Sequence, residues 1–228
     1  MPTPHSIVLV HGAFVDGSGW RQVHDLLVAK GHEVLVTQNP TQSLTGDVDV
    51  VAHAIAQARN PVVLVGHSYG GAVISDAGND AKVRSLVYVA AFVPDSGESV
   101  ADLVANPPAG AEPAPIIGDN GGLTVDRDHF AQSFSADIPP ADARFMAASQ
   151  VSWGQAAFGG AVTQAAWRTK PSYYLVATQD RMLPPSAQRQ MANRAGARTR
   201  EVASSHAVMI SHPHDIAEVI ERAAADVG

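Results

Sequence analysis

The residues with the clearest capacity for chemistry lie at 66–70, where the chain reads Gly-His-Ser-Tyr-Gly. A short β-branched run precedes this segment and helix-favouring residues follow it, so a sharp turn from strand to helix is predicted. At the apex of such a turn the serine has a strained backbone, and glycines two residues before and after it let strand and helix pass closely. The strain exposes the hydroxyl above the end of a sheet. Ser68 is therefore the candidate nucleophile.

A serine hydroxyl becomes an effective nucleophile only when a base takes its proton and a carboxylate orients that base. With this turn, the acid and then the histidine are expected after the serine, each just beyond the carboxyl end of a strand. Asp180 follows the apolar run 173–177, and His206 follows the run 199–202. They are the candidate acid and base.

Other residues could fill these two roles. Asp95 follows the strand predicted over 83–91, and some enzymes of this type take their acid there. His212 and His214 lie at the start of the last predicted helix, where polar capping explains them equally well.

The negative charge that develops on an attacked carbonyl oxygen needs two backbone N–H donors, an arrangement called the oxyanion hole. One donor is expected from Tyr69, the residue after the nucleophile, at a helix N-terminus. The other is expected from the loop after the first strand, His-Gly-Ala-Phe at 11–14, where Gly12 lets the backbone turn. Ala13 is the candidate second donor.

Apolar runs that alternate with helical patterns predict the fold. Valine-, isoleucine- and leucine-rich strands without polar alternation indicate a mostly parallel sheet with helices on both faces. Six strands are predicted, at 6–10, 33–36, 62–65, 83–91, 173–177 and 199–202. Helices are predicted near 18–30, 47–58, 69–78, 184–195 and 214–225. Right-handed crossovers then give a doubly wound α/β fold.

One long segment interrupts this alternation. No strand is predicted from 94 to 165, and residues 104–122 are rich in proline and glycine. About 70 residues are too many for a structureless loop in a compact domain. We therefore predict an inserted, mainly helical cap over 94–165, with the core formed by 1–93 and 166–228.

The composition excludes several classes of function. The 228 residues carry a net charge of −7 without a block of lysine or arginine, which argues against nucleic acid or an anionic membrane as partner. The absence of cysteine excludes a disulfide framework, a thiolate metal site and a cysteine nucleophile. No apolar run approaches 18 residues, and the N-terminus lacks a basic leader region. A cytoplasmic location is expected, and a homodimer is left open.

The chain resembles the α/β-hydrolase superfamily through His-Gly-Ala-Phe at 11–14, the turn at 66–71, and the segments 177–185 and 204–213. Within it, the branch of plant methyl-ester esterases and hydroxynitrile lyases, with bacterial hydrolases, is most similar. That branch is indicated by the segments 11–20, 90–95 and 204–213. The resemblance implies a serine esterase with an acyl-enzyme intermediate.

The lyases of this branch carry a threonine after the loop histidine and a lysine after the catalytic histidine. Here those positions are Gly12 and Ala207, so no cation is available there for departing cyanide, and esterase chemistry is favoured. Lyase-like chemistry, C–C bond hydrolysis and perhydrolysis with the same triad stay as alternatives. A non-catalytic binder is disfavoured because the triad is complete.

The substrate pocket is expected between the carboxyl edge of the sheet and the cap. The candidate lining residues are Phe14, Tyr69, Phe92, Trp153 and Met209, with Phe130, Phe134 and Phe145 of the cap either lining it or packing the cap on the core. These side chains suit a neutral, mostly apolar ester of small or medium size. The carboxylates and histidines lack metal-ligand spacing, so neither metal nor organic cofactor is expected.

Overall fold

A six-stranded parallel sheet lies at the centre of the computed structural model, which describes residues 5–105, 107 and 112–227. The strands of the described residues are β1 (Ser6–Val10), β2 (Glu33–Val36), β3 (Val62–His67), β4 (Val83–Val89), β5 (Ile116–Asp119), β6 (Gly122–Val125), β7 (Trp153–Gly154), β8 (Ser172–Ala177) and β9 (Arg198–Val202). The central sheet has the order β2-β1-β3-β4-β8-β9, and every neighbouring pair is parallel.

Helices cover both faces of this sheet. The described α-helices are α1 (Arg21–Ala29), α2 (Leu44–Gln57), α3 (Gly70–Ala77), α4 (Val100–Ala105), α5 (Arg127–Ser133), α6 (Pro140–Ala148), α7 (Gln155–Phe158), α8 (Pro185–Arg194), α9 (Val208–Ser211) and α10 (Pro213–Ala225). Short 3₁₀-helices lie at Gly17–Trp20 and Ala166–Arg168. The predicted doubly wound α/β fold is confirmed.

The central strands are mostly apolar because helices bury both faces of the sheet. All residues of β1, β3 and β8 are buried, and alternate side chains enter two separate hydrophobic clusters. One cluster includes residues of α2, α3 and α8, and the other includes residues of α1 and α10. Parallel strands require crossover connections, which bring all the carboxyl ends to one edge of the sheet.

The segment 94–165 contains strands, although none is predicted there. Its β5, β6 and β7 form a small antiparallel sheet, and Asn120 and Gly121 connect β5 to β6 with φ values of 43° and 90°. A two-residue Asn-Gly loop between alternating apolar residues is a strong hairpin signal, and the proline- and glycine-rich composition obscured it. Residues 106 and 108–111 of the predicted stretch 104–122 lie outside the described residues, and the cap boundaries stay a prediction.

In the part of the chain that the structure describes, no helix combines the length and the apolar character needed to cross a bilayer.

Candidate active site

Ser68 lies at the apex of the turn between β3 and α3. Its φ of 54° is in the left-handed region that non-glycine residues rarely adopt. The surrounding backbone maintains this conformation, since the Ser68 carbonyl accepts from the N–H groups of Gly71 at 2.9 Å and Phe92 at 3.1 Å. A Cβ on Gly66 would lie 2.5 Å from the Gly70 carbonyl oxygen, so the close approach of β3 to the start of α3 requires glycine at position 66. The strained turn predicted from the sequence is present at Ser68.

The structure brings Ser68, His206 and Asp180 into one hydrogen-bonded chain. His206 Nδ1 lies 2.6 Å from Asp180 Oδ2, and because a carboxylate only accepts, Nδ1 carries the proton. His206 Nε2, at 2.8 Å from Ser68 Oγ, is then free to accept the serine proton. All three side chains are buried. This is the geometry required for general-base activation of a serine.

Asp180 is oriented by further hydrogen bonds. Its Oδ1 accepts from the backbone N–H groups of Met182 at 2.8 Å and Leu183 at 2.9 Å. Its Oδ2 accepts from Gln188 Nε2 at 2.9 Å in addition to His206. These donors satisfy a buried carboxylate and direct one oxygen at the histidine. Gln188 was not identified from the sequence, since a buried glutamine in an amphipathic helix has no distinctive pattern.

The alternative acid and bases lie elsewhere. The Asp95 carboxylate accepts from Arg168 Nε at 2.6 Å, and this hydrogen bond holds the pKa of Asp95 below its usual value. His212 Nδ1 lies 3.2 Å from Asp215 Oδ2, and His214 is exposed on α10. None of these three residues is hydrogen-bonded to the triad.

His67, the residue before Ser68, contacts the candidate base His206. Its Nε2–H donates to the His206 carbonyl oxygen at 2.9 Å, and the two rings lie 4.7 Å apart between centroids. Complete burial holds the pKa of His67 well below its usual value, with the neighbouring His206 acting in the same direction. His67 therefore stays neutral and places no positive charge beside the His206 ring. The sequence gives no reason to separate this histidine from any other turn residue.

A segment of the predicted cap holds the loop that carries His206. The carboxylate of Asp137 accepts from the Ser205 N–H at 3.0 Å, from the Ser204 hydroxyl at 2.9 Å and from the Ser205 hydroxyl. The Phe134 carbonyl accepts from the Ala207 N–H at 2.9 Å. The Phe134 ring packs edge-on against the His206 ring at 4.8 Å. The histidine loop is thus fixed from the cap side as well as from the core.

Replacement of Asp137 by alanine is expected to lower the melting temperature at pH 7. Burial opposes ionisation of Asp137, but the hydrogen bonds from Ser205 and Ser204 outweigh it and hold the pKa below its usual value. A depressed folded-state pKa stabilises above the unfolded value of about 3.9, and this contribution is lost as the pH falls through the folded value. The melting temperatures of wild type and Asp137→Ala should therefore differ at pH 7, and the difference should shrink as the pH falls below about 3.9.

Asp128→Ala is the matched control, because within the described residues this exposed carboxylate of the same segment has no hydrogen-bond or ion-pair partner. An equal loss of melting temperature in both variants, or a difference between wild type and Asp137→Ala that does not shrink in acid, would contradict the role of the Asp137 carboxylate.

The two predicted oxyanion donors flank the nucleophile. Tyr69 directly follows Ser68 as the residue that precedes α3, and Ala13 lines the same cavity as Ser68. Among the described residues, neither backbone N–H donates to another protein group. The β1 loop approaches so closely that a Cβ on Gly12 would lie 2.6 Å from Ser68 Cβ. Both amides are thus available beside the serine.

A cavity of about 790 Å³ opens at Ser68 and His206. Predicted lining residues Phe14, Phe92 and Trp153 form part of its wall. Most other wall residues are apolar, among them Leu103, Ile116, Leu123, Phe158, Met182, Leu183 and Met191. A pocket of this volume and character fits an apolar ligand of drug-like size.

Several predicted lining residues lie elsewhere. Met209 does not reach the cavity: it is buried in the core cluster that contains Trp20, because the chain turns into α9 directly after His206. The side chain of Tyr69 is also absent from the cavity wall among the described residues. Phe130 and Phe134 stack on each other at 4.9 Å and belong to the core cluster that also contains Val8 and Val10, whereas Phe145 is 71 % exposed.

Within the described residues, no group of three or more histidine, aspartate and glutamate side chains is arranged to hold a metal ion.

Comparison with known proteins identifies relatives along the chain. A model described as the alpha/beta hydrolase family matches residues 7–219. A pyrethroid hydrolase from Sphingobium wenxiniae is 28 % identical over 249 residues, covering 96 % of this chain and 87 % of that protein. A carbendazim hydrolyzing esterase from Nocardioides sp. is 38 % identical over 116 residues, covering 43 % of this chain. The match spans only about half of that esterase, at 47 % of its length.

Solved structures of hydrolases are also similar to this chain. A pyrethroid hydrolase from Sphingobium faniae superposes with a TM-score of 0.81 at 26 % identity, covering 97 % of this chain and 98 % of the other. A methylesterase from Arabidopsis superposes with a TM-score of 0.80 at 17 % identity, covering 97 % and 99 %, which shows the shared fold alone. The predicted resemblance is confirmed, and the names of these relatives agree with the predicted class of carboxylic ester hydrolase.

Proposed function

This chain belongs to the α/β-hydrolase family, and from that premise we propose that it is a serine esterase acting on an apolar carboxylic ester of medium size. The observation that carries the proposal is the hydrogen-bonded chain from Asp180 through His206 to Ser68, with the serine at the wall of an apolar cavity.

In the proposed mechanism, Ser68 Oγ attacks the ester carbonyl carbon while His206 Nε2 takes the hydroxyl proton. Asp180 stabilises the resulting imidazolium, and the N–H groups of Ala13 and Tyr69 donate to the oxyanion. Collapse of the tetrahedral intermediate breaks the bond to the alcohol oxygen, which receives the proton from His206. Water then attacks the acyl carbon while His206 Nε2 takes its proton; the bond from the acyl carbon to Ser68 Oγ breaks, Oγ receives that proton from His206, and the carboxylic acid leaves.

The cavity supports an apolar substrate larger than an acetate ester. Its volume lies in the upper half of the range of about 300–1,000 Å³ for small-molecule sites. Aromatic walls formed by Phe14, Trp153 and Phe158 suit a ring on the acyl or the alcohol side. The relative named as a pyrethroid hydrolase supports bulky apolar esters as the first compounds to test.

A panel of p-nitrophenyl and methyl esters with acyl groups from acetyl to phenylbutyryl tests this substrate class. We expect kcat/KM to rise with apolar acyl size to an optimum above acetyl, since each buried CH₂ contributes about 0.8 kcal/mol. Leu123→Phe narrows the cavity and should move the optimum to a shorter acyl group. Phe145→Ala, on the exposed face of the cap, should leave it unchanged. A flat profile in wild type would contradict an apolar acyl site.

Lyase chemistry is the weaker candidate for this site. A Cβ on Gly12 would meet Ser68 Cβ at 2.6 Å and the His67 carbonyl oxygen at 2.9 Å, so a threonine does not fit beside the nucleophile. Ala207 is fully buried at the place of the lyase lysine. A lyase needs a cation for the departing cyanide. The one lysine or arginine among the described wall residues is Arg194, and it pairs with Glu98 at 2.9 Å.

We therefore expect no appreciable cleavage of cyanohydrins. Incubation with mandelonitrile should release cyanide no faster than a buffer blank, while the best ester of the panel is hydrolysed in parallel as the positive control. Cyanide release at a rate comparable to ester hydrolysis, and lost in Ser68→Ala, would reverse the assignment to esterase chemistry.

A further inference from the structure

The side chain of Tyr69 points to a buried carboxylate that the proposed mechanism does not use. Its hydroxyl donates to Asp47 Oδ2 at 2.7 Å, and both residues are completely buried. Asp47 lies in the first turn of α2, 22 residues before Tyr69 in the chain. This contact therefore joins the residue after the nucleophile to a different crossover of the sheet.

The other oxygen of Asp47 holds the loop that precedes α2. Asp47 Oδ1 accepts from the Thr41 N–H at 2.9 Å. Thr41 has a φ of 56°, a strained value for a β-branched residue, and its carbonyl accepts from the Gly154 N–H at 2.8 Å. Trp153, the residue before Gly154, lines the cavity and packs on the Tyr69 ring at 5.3 Å.

Asp47 is also linked to the loop that carries Ala13, the second proposed oxyanion donor. The Asp47 carbonyl accepts from Asn39 Nδ2 at 3.1 Å, and the Asn39 N–H donates to His11 Nε2 at 2.9 Å. His11 Nδ1–H in turn donates to the Gly12 carbonyl at 2.9 Å, directly before Ala13. Asp47 is thus linked to both sides of the oxyanion hole, to Tyr69 directly and to Ala13 through Asn39 and His11.

A buried carboxylate is costly unless hydrogen bonds compensate for its lost hydration. Burial raises the pKa of Asp47, while the hydrogen bonds from Tyr69 and Thr41 act in the opposite direction. Burial and the neighbouring Asp47 raise the pKa of the Tyr69 phenol, so its hydroxyl stays protonated and remains a donor. Two apolar side chains would fill the same space without this cost, so packing alone does not account for the pair.

We propose that Asp47 is a positioning residue of the oxyanion hole: its carboxylate fixes the Tyr69 amide through the Tyr69 hydroxyl, and its backbone carbonyl holds the Ala13 loop through the Asn39–His11 hydrogen bonds. The proposal rests on the proposed ester hydrolysis, because it concerns the charge that forms on the attacked carbonyl oxygen. It requires that loss of the Tyr69–Asp47 bond weakens transition-state stabilisation and leaves ground-state ester binding nearly unchanged.

Tyr69→Phe tests this with a change of one oxygen atom. We expect kcat for the best ester to fall about tenfold with KM within about twofold, less than the 10²- to 10³-fold cost of losing a whole oxyanion donor. The inhibition constant of a trifluoromethyl ketone, which forms a hemiketal oxyanion on Ser68, should rise by a similar factor. A merely structural role would not link these two quantities.

Tyr88→Phe is the matched control, because it also removes a fully buried tyrosine hydroxyl, one paired with Ser75 at 3.0 Å, and neither residue belongs to the described wall of the cavity. It should lower the melting temperature without changing kcat or the ketone affinity. The same kcat in Tyr69→Phe as in Tyr88→Phe, or a change confined to KM, would overturn the proposal.

Asp47→Asn provides the second variant. It retains one acceptor oxygen for two donors, so we expect a kcat loss at least as large as that of Tyr69→Phe. The double variant should be no slower than Asp47→Asn, since both changes remove the same contact. Additive losses would contradict a shared role. If ester hydrolysis proved independent of Ser68, the proposed function would fail; if it depended on Ser68 but not on Tyr69 or Asp47, only this inference would fail.

Discussion

Ser68→Ala is expected to lower kcat/KM for the best ester by about 10⁶-fold, to the level that binding and the oxyanion hole alone sustain. The serine hydroxyl is the nucleophilic atom of the proposed mechanism, and no other hydroxyl group is hydrogen-bonded to His206 Nε2 among the described residues. A fluorophosphonate probe should label wild type and leave Ser68→Ala unlabelled, with the mass of the adduct located on the peptide that contains residue 68.

Ser75→Ala is the control for this experiment, since it removes a buried hydroxyl of the helix α3 that follows Ser68, one that donates to the Gly71 carbonyl at 2.8 Å. It should keep its labelling and its activity. Equal labelling of wild type and Ser68→Ala would show that the reactive nucleophile lies elsewhere.

Asp180→Asn is expected to lower kcat by up to about 10⁴-fold with the fold intact. The Met182 and Leu183 N–H groups donate to Oδ1, so the amide oxygen of an asparagine must occupy that position. The amide NH₂ would then face His206 Nδ1 and force the proton onto Nε2, which could no longer accept from the serine. Steady-state kinetics, with circular dichroism as a check of the fold, measure this loss.

Asp95→Asn is the comparison for the acid. Asp95 pairs with Arg168 near the protein surface, so its replacement should change kcat by less than about threefold. A large loss of kcat in Asp95→Asn, together with an active Asp180→Asn, would show that Asp95, after strand β4, is the acid.

The parallel sheet and the nucleophile turn follow from local sequence. Each depends on residues that are adjacent in the chain: the apolar runs of the six strands, and Gly66 and Gly70 on either side of Ser68. Chain order alone placed Asp180 and His206 at the ends of β8 and β9, because parallel strands bring their carboxyl ends to one edge.

The hairpin of β5 and β6 is also encoded locally, by Asn120 and Gly121, but the proline- and glycine-rich composition of the surrounding segment hides this signal. The position of Met209 could not be inferred in the same way. It is three residues from His206, yet the turn into α9 directs it into the core beside Trp20 instead of the cavity.

Residue types and their order thus determined the fold, the strained serine and the chain order of the candidate nucleophile, acid and base, since these depend on short segments with strong backbone preferences. Only the tertiary structure decided which buried groups meet: Gln188 at Asp180, Asp137 at the histidine loop, and Asp47 at Tyr69. Asp47 and Tyr69 are 22 residues apart in the chain, and Asp137 and Ser205 are 68 residues apart. Buried hydrogen-bond partners of this kind leave no periodicity in the chain, because any acceptor brought to the right place by packing can satisfy the donor.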